Sequence, residues 1–295
     1  MVVPRRVVRD YDWGMIDAHI HVVPPQIPGA GSLAPVLRSP PDQIASLLRQ
    51  EMRNARITHA FAMGEWRITT DDPLGVARTL EIAAKVPGLS AIGVMDPTKD
   101  KADHDHFQRV NAALATGRVV ALKGYLGYLH FDPAHPTYRR YYELAEKHDI
   151  PVVFHTGDTY SPYAKLKYAH PLNVDEVAVD HPHVRFVMAH LGNPWTIDAA
   201  EVIYKNVNVW ADLSGLIVGE AEDFTGEAAQ DDLADVIDRV RKAIRYAGRP
   251  NRFLYGSDWP LVPMPGYREF VSGIVPADYR EQFFRENAQR LFKVK

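Results

Sequence analysis

Cysteine is missing from all 295 residues. Its absence excludes disulfides, thiolate zinc sites, iron–sulfur clusters and cysteine nucleophiles together. It also fits a reducing compartment, and the expected location is cytoplasmic. No apolar run of about 18 residues exists, so no membrane-spanning helix is expected. The opening stretch MVVPRRVVRDYDWG carries arginines but no apolar run behind them that would make a signal sequence. A basic excess is lacking too: 34 Lys and Arg stand against 37 Asp and Glu, a net charge of −3. That excludes a nucleic-acid binder working through bulk positive charge. Low-complexity tracts, internal repeats and linker-like shifts in composition are also absent, so residues 1–295 read as one domain.

What the sequence does have is alternation. Short apolar runs at Met15–Val22, Thr58–Met63, Leu89–Met95, Val119–Tyr125, Pro151–His155, Arg185–His190, Val207–Leu213 and Arg252–Tyr255 read as strands. Between them, amphipathic stretches at Asp42–Ala55, Pro73–Lys85, Asp103–Ala115, Thr137–Lys147, Asn173–Asp180, Trp195–Lys205 and Glu227–Ala247 read as helices, and Asp278–Phe292 as a last one. Strands alternating with helices imply a parallel sheet covered by helices. Eight such units in about 250 residues is the size of a closed (β/α)8 TIM barrel. An open doubly wound sheet would normally bring a glycine-rich phosphate loop after its first strand. Here that strand runs into His-Val-Val-Pro-Pro instead.

The chemistry-bearing residues gather at strand ends. His19 and His21 close the first strand, Lys123 lies near the end of the fourth, and His155 and His190 end the fifth and sixth. Asp258 follows the eighth. In a barrel all these ends lie on one face, where active sites sit. The period-two rule puts His19 and His21 on the lumen side, with Ile20 and Val22 against the helices. It also puts Asp17 on the lumen side, one layer deeper, either orienting a ligand or serving as core polarity. Closure of the barrel would bring the first and eighth strands, and so His21 and Asp258, side by side. Alone, the H-x-H pair is more simply read as two histidines satisfying core hydrogen bonds. Ionisable groups on further strand ends change that reading, because burying them all unpaired is expensive and a divalent metal removes the cost.

The stretches I-D-A-H-I-H (16–21), L-K-G-Y (122–125), P-V-V-F-H-T-G-D (151–158), M-A-H-L-G (188–192), L-Y-G-S-D-W-P (254–260) and E-N-A-Q-R-L-F (286–292) follow one another in a familiar order. Together they resemble the amidohydrolase superfamily, and within it the amidohydrolase-related (amidohydrolase 2) branch around aminocarboxymuconate-semialdehyde decarboxylase. The resemblance implies a metal held by His19, His21, His155 and Asp258, usually zinc and in some decarboxylases manganese. It implies that His190 stands near the metal as general base or substrate polariser, and that Asp258 also takes a proton. In the mononuclear branch Lys123 would remain a cation near the substrate. In binuclear relatives a carboxylated lysine at this position bridges two metals. One zinc ion is the favoured reading.

Arg67 is a candidate for a substrate carboxylate or, equally, a surface ion pair. Tyr125, Tyr128, Tyr160 and Trp259 are candidate walls for a cyclic substrate, or loop packing. His104 and His106 form a second H-x-H, read as a solvated helix start. Three functions remain. The first is a metal-dependent hydrolase of a small amide, lactone or related carbonyl compound, using a metal-activated water. The second is a nonhydrolytic decarboxylase of a carboxylated aromatic or muconate-like acid, and the third is a catalytically silent barrel that only binds. The expected partner is a small molecule, carboxylated or cyclic, with no nucleic acid and no membrane. A homodimer is compatible with such a barrel, though no apolar stripe marks its interface.

Overall fold

The computed structural model describes residues 13–28, 34–220 and 229–294. Eight parallel strands lie side by side in chain order: β1 (Met15–His21), β2 (Ile57–Met63), β3 (Leu89–Val94), β4 (Val119–Gly124), β5 (Val152–Phe154), β6 (Phe186–Met188), β7 (Val209–Asp212) and β8 (Phe253–Leu254). Between and after them run α1 (Pro41–Ala55), α2 (Ala77–Ala83), α3 (His104–Ala115), α4 (Pro136–His148), α5 (Leu166–Ala169), α6 (Leu172–Asp180), α7 (Thr196–Lys205), α8 (Ala229–Ala247), α9 (Met264–Ile274) and α10 (Asn287–Phe292). The circle closes between β8 and β1 through backbone bonds from Ala18 to Tyr255, Asp258 to His19 and His21 to Trp259, at 2.9, 2.8 and 2.7 Å. The architecture is the expected (β/α)8 barrel.

Strands such as VVF and FVM are apolar throughout because both faces are buried, one in the lumen and one under helices. The helices begin where local chemistry allows. Asp103 accepts the His106 N–H at the start of α3, and Pro136 opens α4, where its missing N–H does no harm. Inside the barrel, Ile16, Phe61, Ile92, Ala121, Val153 and Val187 form an apolar plug, closed from the N-terminal end of the strands by Ala288, Leu291 and Phe292 of α10. At the other end Ile27, Tyr125, Tyr128 and Leu129 make a separate small cluster over the mouth.

Several expectations are corrected. The chain between 264 and 274, given no element from the sequence, is helix α9, and Leu166–Ala169 is the short α5. The stretch Pro73–Lys85 is helical only over α2. Asp278–Phe292 is not one helix: a 3-10 turn and a π-helix over Gln282–Glu286 precede α10. The start expected at Glu227 lies outside the described residues. Asp17 does not share a face with His19. Ile16 and Ala18 enter the lumen plug, and the pairing of β1 with β2 shifts between Asp17 and Ile20, so strict alternation breaks there. His106 is buried rather than solvated, its Nε2 2.8 Å from the Tyr141 hydroxyl. Among the described residues no helix is long and apolar enough to cross a membrane.

Candidate active site

Local backbone geometry delivers each side chain to the mouth. The irregularity in β1 leaves His19 and His21 at the cavity, while Asp17 turns towards β8 and accepts the backbone N–H groups of His19 and Ser257 at 3.1 and 3.0 Å. That carboxylate ties β1 to the residue preceding Asp258. Burial pushes its pKa up to about 7. β6 stops at Met188, and His190, Leu191 and Gly192 follow with φ of 61°, 48° and 59°. A left-handed run of this kind is costly for His and Leu, and such conformations persist only where the surroundings hold them. Asp258 is likewise left-handed at φ 66°.

The mouth encloses a cavity of ≈ 120 Å³ lined by His19, His21, Lys123, His155, His190 and Asp258. Tyr125, Tyr128 and Tyr160 add aromatic walls. His19 Nε2 and His21 Nε2 lie 3.6 and 3.4 Å from Asp258 Oδ1. The other nitrogen of His19, Nδ1, meets Asp212 Oδ2 at 3.0 Å. An ionised carboxylate only accepts, so Nδ1 carries the proton and Nε2 presents a lone pair. That lone pair faces a second acceptor, Asp258 Oδ1, and both atoms are buried without a hydrogen-bond partner. Protonating His19 would relieve the pair, but burial and the Lys123 ammonium hold its pKa down to about 4. A cation between them would satisfy both acceptors at once. Two imidazole nitrogens and a carboxylate oxygen are a suitable donor set for zinc or manganese. His19, His21 and Asp258 therefore fit a divalent metal, and their ligand atoms lie within 4.8 Å of one another.

The charges around this group agree. Burial alone would raise the Asp258 carboxyl, but the imidazoles of His21, His19 and His190 hold it well below the usual range. Lys123 is buried, and its Nζ has no hydrogen-bond partner. Burial brings its pKa down to about 8, although Asp212 and Asp258 support the charge. His155 stands with its ring 4.9 Å from that of His190, and burial keeps it neutral. Its Nε2 is bonded to the Asp158 carbonyl oxygen at 2.8 Å and so carries the proton. It would have to release that carbonyl to offer Nε2 to a metal.

Two expected substrate contacts are not brought to the cavity. Arg67 is exposed and outside its lining. Trp259 is buried in the outer core, its carbonyl accepting from His21. Sequence reasoning also missed Asp212, Ser214 and Gly215. Asp212 ends β7 in V-W-A-D, and the rule applied to the other strands, an ionisable residue at the C-terminal end of an apolar run, would have found it. Gly215 lets the backbone approach closely: a Cβ there would lie 2.7 Å from His190 Nδ1 and 2.9 Å from Asp258 Oδ2.

Solved structures share this fold. A probable 2-pyrone-4,6-dicarboxylic acid hydrolase from Acinetobacter baumannii, crystallised with citric acid, is 15% identical with a TM-score of 0.68, covering 96% of this chain and 100% of its own. The 5-carboxyvanillate decarboxylase of Sphingomonas paucimobilis is 14% identical with a TM-score of 0.64 over 96% and 99% of the two chains. A dihydroxybenzoic acid decarboxylase from Polaromonas sp. JS666, with manganese and 2-nitroresorcinol bound, is 14% identical with a TM-score of 0.62 over 95% and 97%. At these identities the likeness is one of fold. No curated protein sequence matches the chain. The amidohydrolase family model matches residues 16–294, nearly the whole barrel, and the chain belongs to the amidohydrolase family.

Proposed function

We propose that the protein is a metal-dependent hydrolase of a small carboxylated substrate, an amide, a lactone or a related carbonyl compound. The observation that carries the metal is the pair of buried, facing acceptors, His19 Nε2 and Asp258 Oδ1. His19, His21 and Asp258 would hold one zinc ion, or manganese, with His155 joining them if its ring turns away from Asp158. Bound there, the ion would supply Lewis acidity, polarising a substrate carbonyl and making water more acidic. The unpartnered Lys123 ammonium fits the substrate carboxylate, since a buried charge is stable only when paired. Tyr125, Tyr128 and Tyr160 would wall a flat ring. His190 would take the proton of the attacking water at Nε2 and return it to the leaving group, with Asp258 as a second acceptor.

A second reading, a metal-dependent decarboxylase of an aromatic or muconate-like acid, is supported by the same lysine and by the decarboxylases among the similar structures. One experiment addresses both. Purified protein is analysed for metal, then assayed with zinc or manganese on lactones, amides and hydroxylated aromatic acids, following ring opening and CO2 release separately. Hydrolysis without CO2 is expected, whereas CO2 from an aromatic acid with no hydrolysis selects the decarboxylase. His19→Ala/His21→Ala should fold and contain no metal. Full metal content in that variant would overturn the assigned ligands.

A further inference from the structure

One carboxylate beside the cavity gathers donors from three separate segments. Asp212 receives His19 Nδ1 on Oδ2 at 3.0 Å. On Oδ1 it receives the His190 backbone N–H at 3.0 Å, and the Ser214 N–H and hydroxyl at 3.1 and 2.5 Å. The consequence for His19 is direct: its proton is on Nδ1 and its lone pair on Nε2. For His190 it runs through Ser214. The only hydroxyl proton of Ser214 is committed to Asp212, so its oxygen can only accept from His190 Nδ1, 2.9 Å away. The Ser214 carbonyl oxygen, 3.1 Å from the same nitrogen, makes the same demand. His190 therefore also carries its proton on Nδ1 and keeps Nε2 bare. The same Oδ1 holds the N–H of His190 in the left-handed turn that places its ring at the mouth.

We infer that Asp212 is the positioning residue of this site, setting the tautomer of His19 directly and that of His190 through Ser214, so that both imidazoles offer Nε2. Asp212 meets Nδ1 of His19 directly and reaches Nδ1 of His190 only through the Ser214 hydroxyl. The inference rests on the proposed function only in taking His19 Nε2 as a metal-binding atom; the tautomers follow from the donors alone.

The test is Asp212→Asn in the full-length chain. The new amide has one accepting and one donating end. Three donors meet Oδ1 and one meets Oδ2, so the NH2 group should turn to His19 and drive its proton onto Nε2. Imidazole 15N shifts of His19, assigned by their loss in His19→Gln and recorded on chelator-treated protein, should show Nδ1–H in the wild type and Nε2–H in Asp212→Asn. Zinc affinity, read by competition with a chromophoric chelator, should fall about 10–100-fold. Ser214→Ala leaves the His19 contact intact and should keep wild-type zinc affinity. Retention of Nδ1–H on His19 in Asp212→Asn, or unchanged zinc affinity there, would overturn the inference. So would an equal loss of affinity in Ser214→Ala, which would assign the effect to general disruption. Should Asp212→Asn not fold, the wild type decides, because a His19 protonated on Nε2 contradicts the network outright. Absence of zinc binding by the wild type would remove the proposed metal centre while leaving the nitrogen measurement to judge Asp212.

Discussion

Gly215 follows the Asp212-Leu213-Ser214 segment with φ 58° and its α-carbon turned towards His190 and Asp258. Any L side chain at such a φ costs about 1–2 kcal/mol. Here the added Cβ would also need space already filled by a ring nitrogen and a carboxylate oxygen, at 2.7 and 2.9 Å. Gly215→Ala is therefore expected to lose more stability than that backbone cost alone in chemical denaturation. Turnover should fall about 10²-fold, since displacements near 1 Å are enough for such losses. Wild-type turnover in this variant would show that His190 and Asp258 can shift freely, contrary to the tight contacts around them. At this scale the sequence was legible for residue type and strand position. His19, His21, Lys123, His155, His190 and Asp258 do share one mouth, because in a parallel barrel every C-terminal strand end faces the same way. Conformation was not legible. Neither the left-handed turn at His190 nor the rotation of Asp17 out of the lumen has a local signal, because both depend on partners some 22 and 240 residues away: Asp212 for one, Ser257 for the other.

Helix α10 shows what an element can do far from the chemistry. Asn287 donates to the carbonyls of Pro250 and Phe253, which fixes the helix beneath the start of β8. Phe292 then stacks on Phe61 with ring centroids 4.0 Å apart and belongs to the plug that fills the barrel. Truncating it opens a cavity that the rigid strands around it cannot collapse to fill. Phe292→Ala should cost about 3–5 kcal/mol in urea unfolding while keeping wild-type metal content, because the plug lies at the opposite end from the proposed ligands. Loss of metal together with stability would mean that the two ends are coupled. Elements were readable where apolar periodicity and helix propensity agreed, as in α1, α3 and α4. α9 was missed because MPGYREFVSGI holds a proline and two glycines, poor helix formers, although Met264, Tyr267, Val271 and Ile274 already lie on one helical face. Asp278–Phe292 holds neither proline nor glycine, so nothing in its composition marks where the π-helix gives way to α10.

For the whole molecule, the proposed ligands come from the two strands that complete the circle. His19 and His21 lie on β1, and Asp258 follows β8. An ion held between them would bind the folded barrel and not the separated strands, so it adds to stability by mass action. Free zinc at about 100 times its dissociation constant contributes about 2.7 kcal/mol. Calorimetry should accordingly show a melting temperature several degrees higher with zinc than with a chelator. The difference should vanish in His19→Ala/His21→Ala. A shift of equal size in that variant would place the stabilising ion elsewhere.

The junction of first and last strands also gives the site a history. During synthesis the two histidines of β1 leave the ribosome first, and the carboxylate that would complete their set follows about 240 residues later, some tens of seconds at about 5–20 residues per second. Through that interval the nascent chain carries half a binding site and an open seam. The proposed centre can be assembled only by the arrival of β8, so the ion would act as the clasp that registers a closed barrel, and a product truncated before Asp258 would never be fastened.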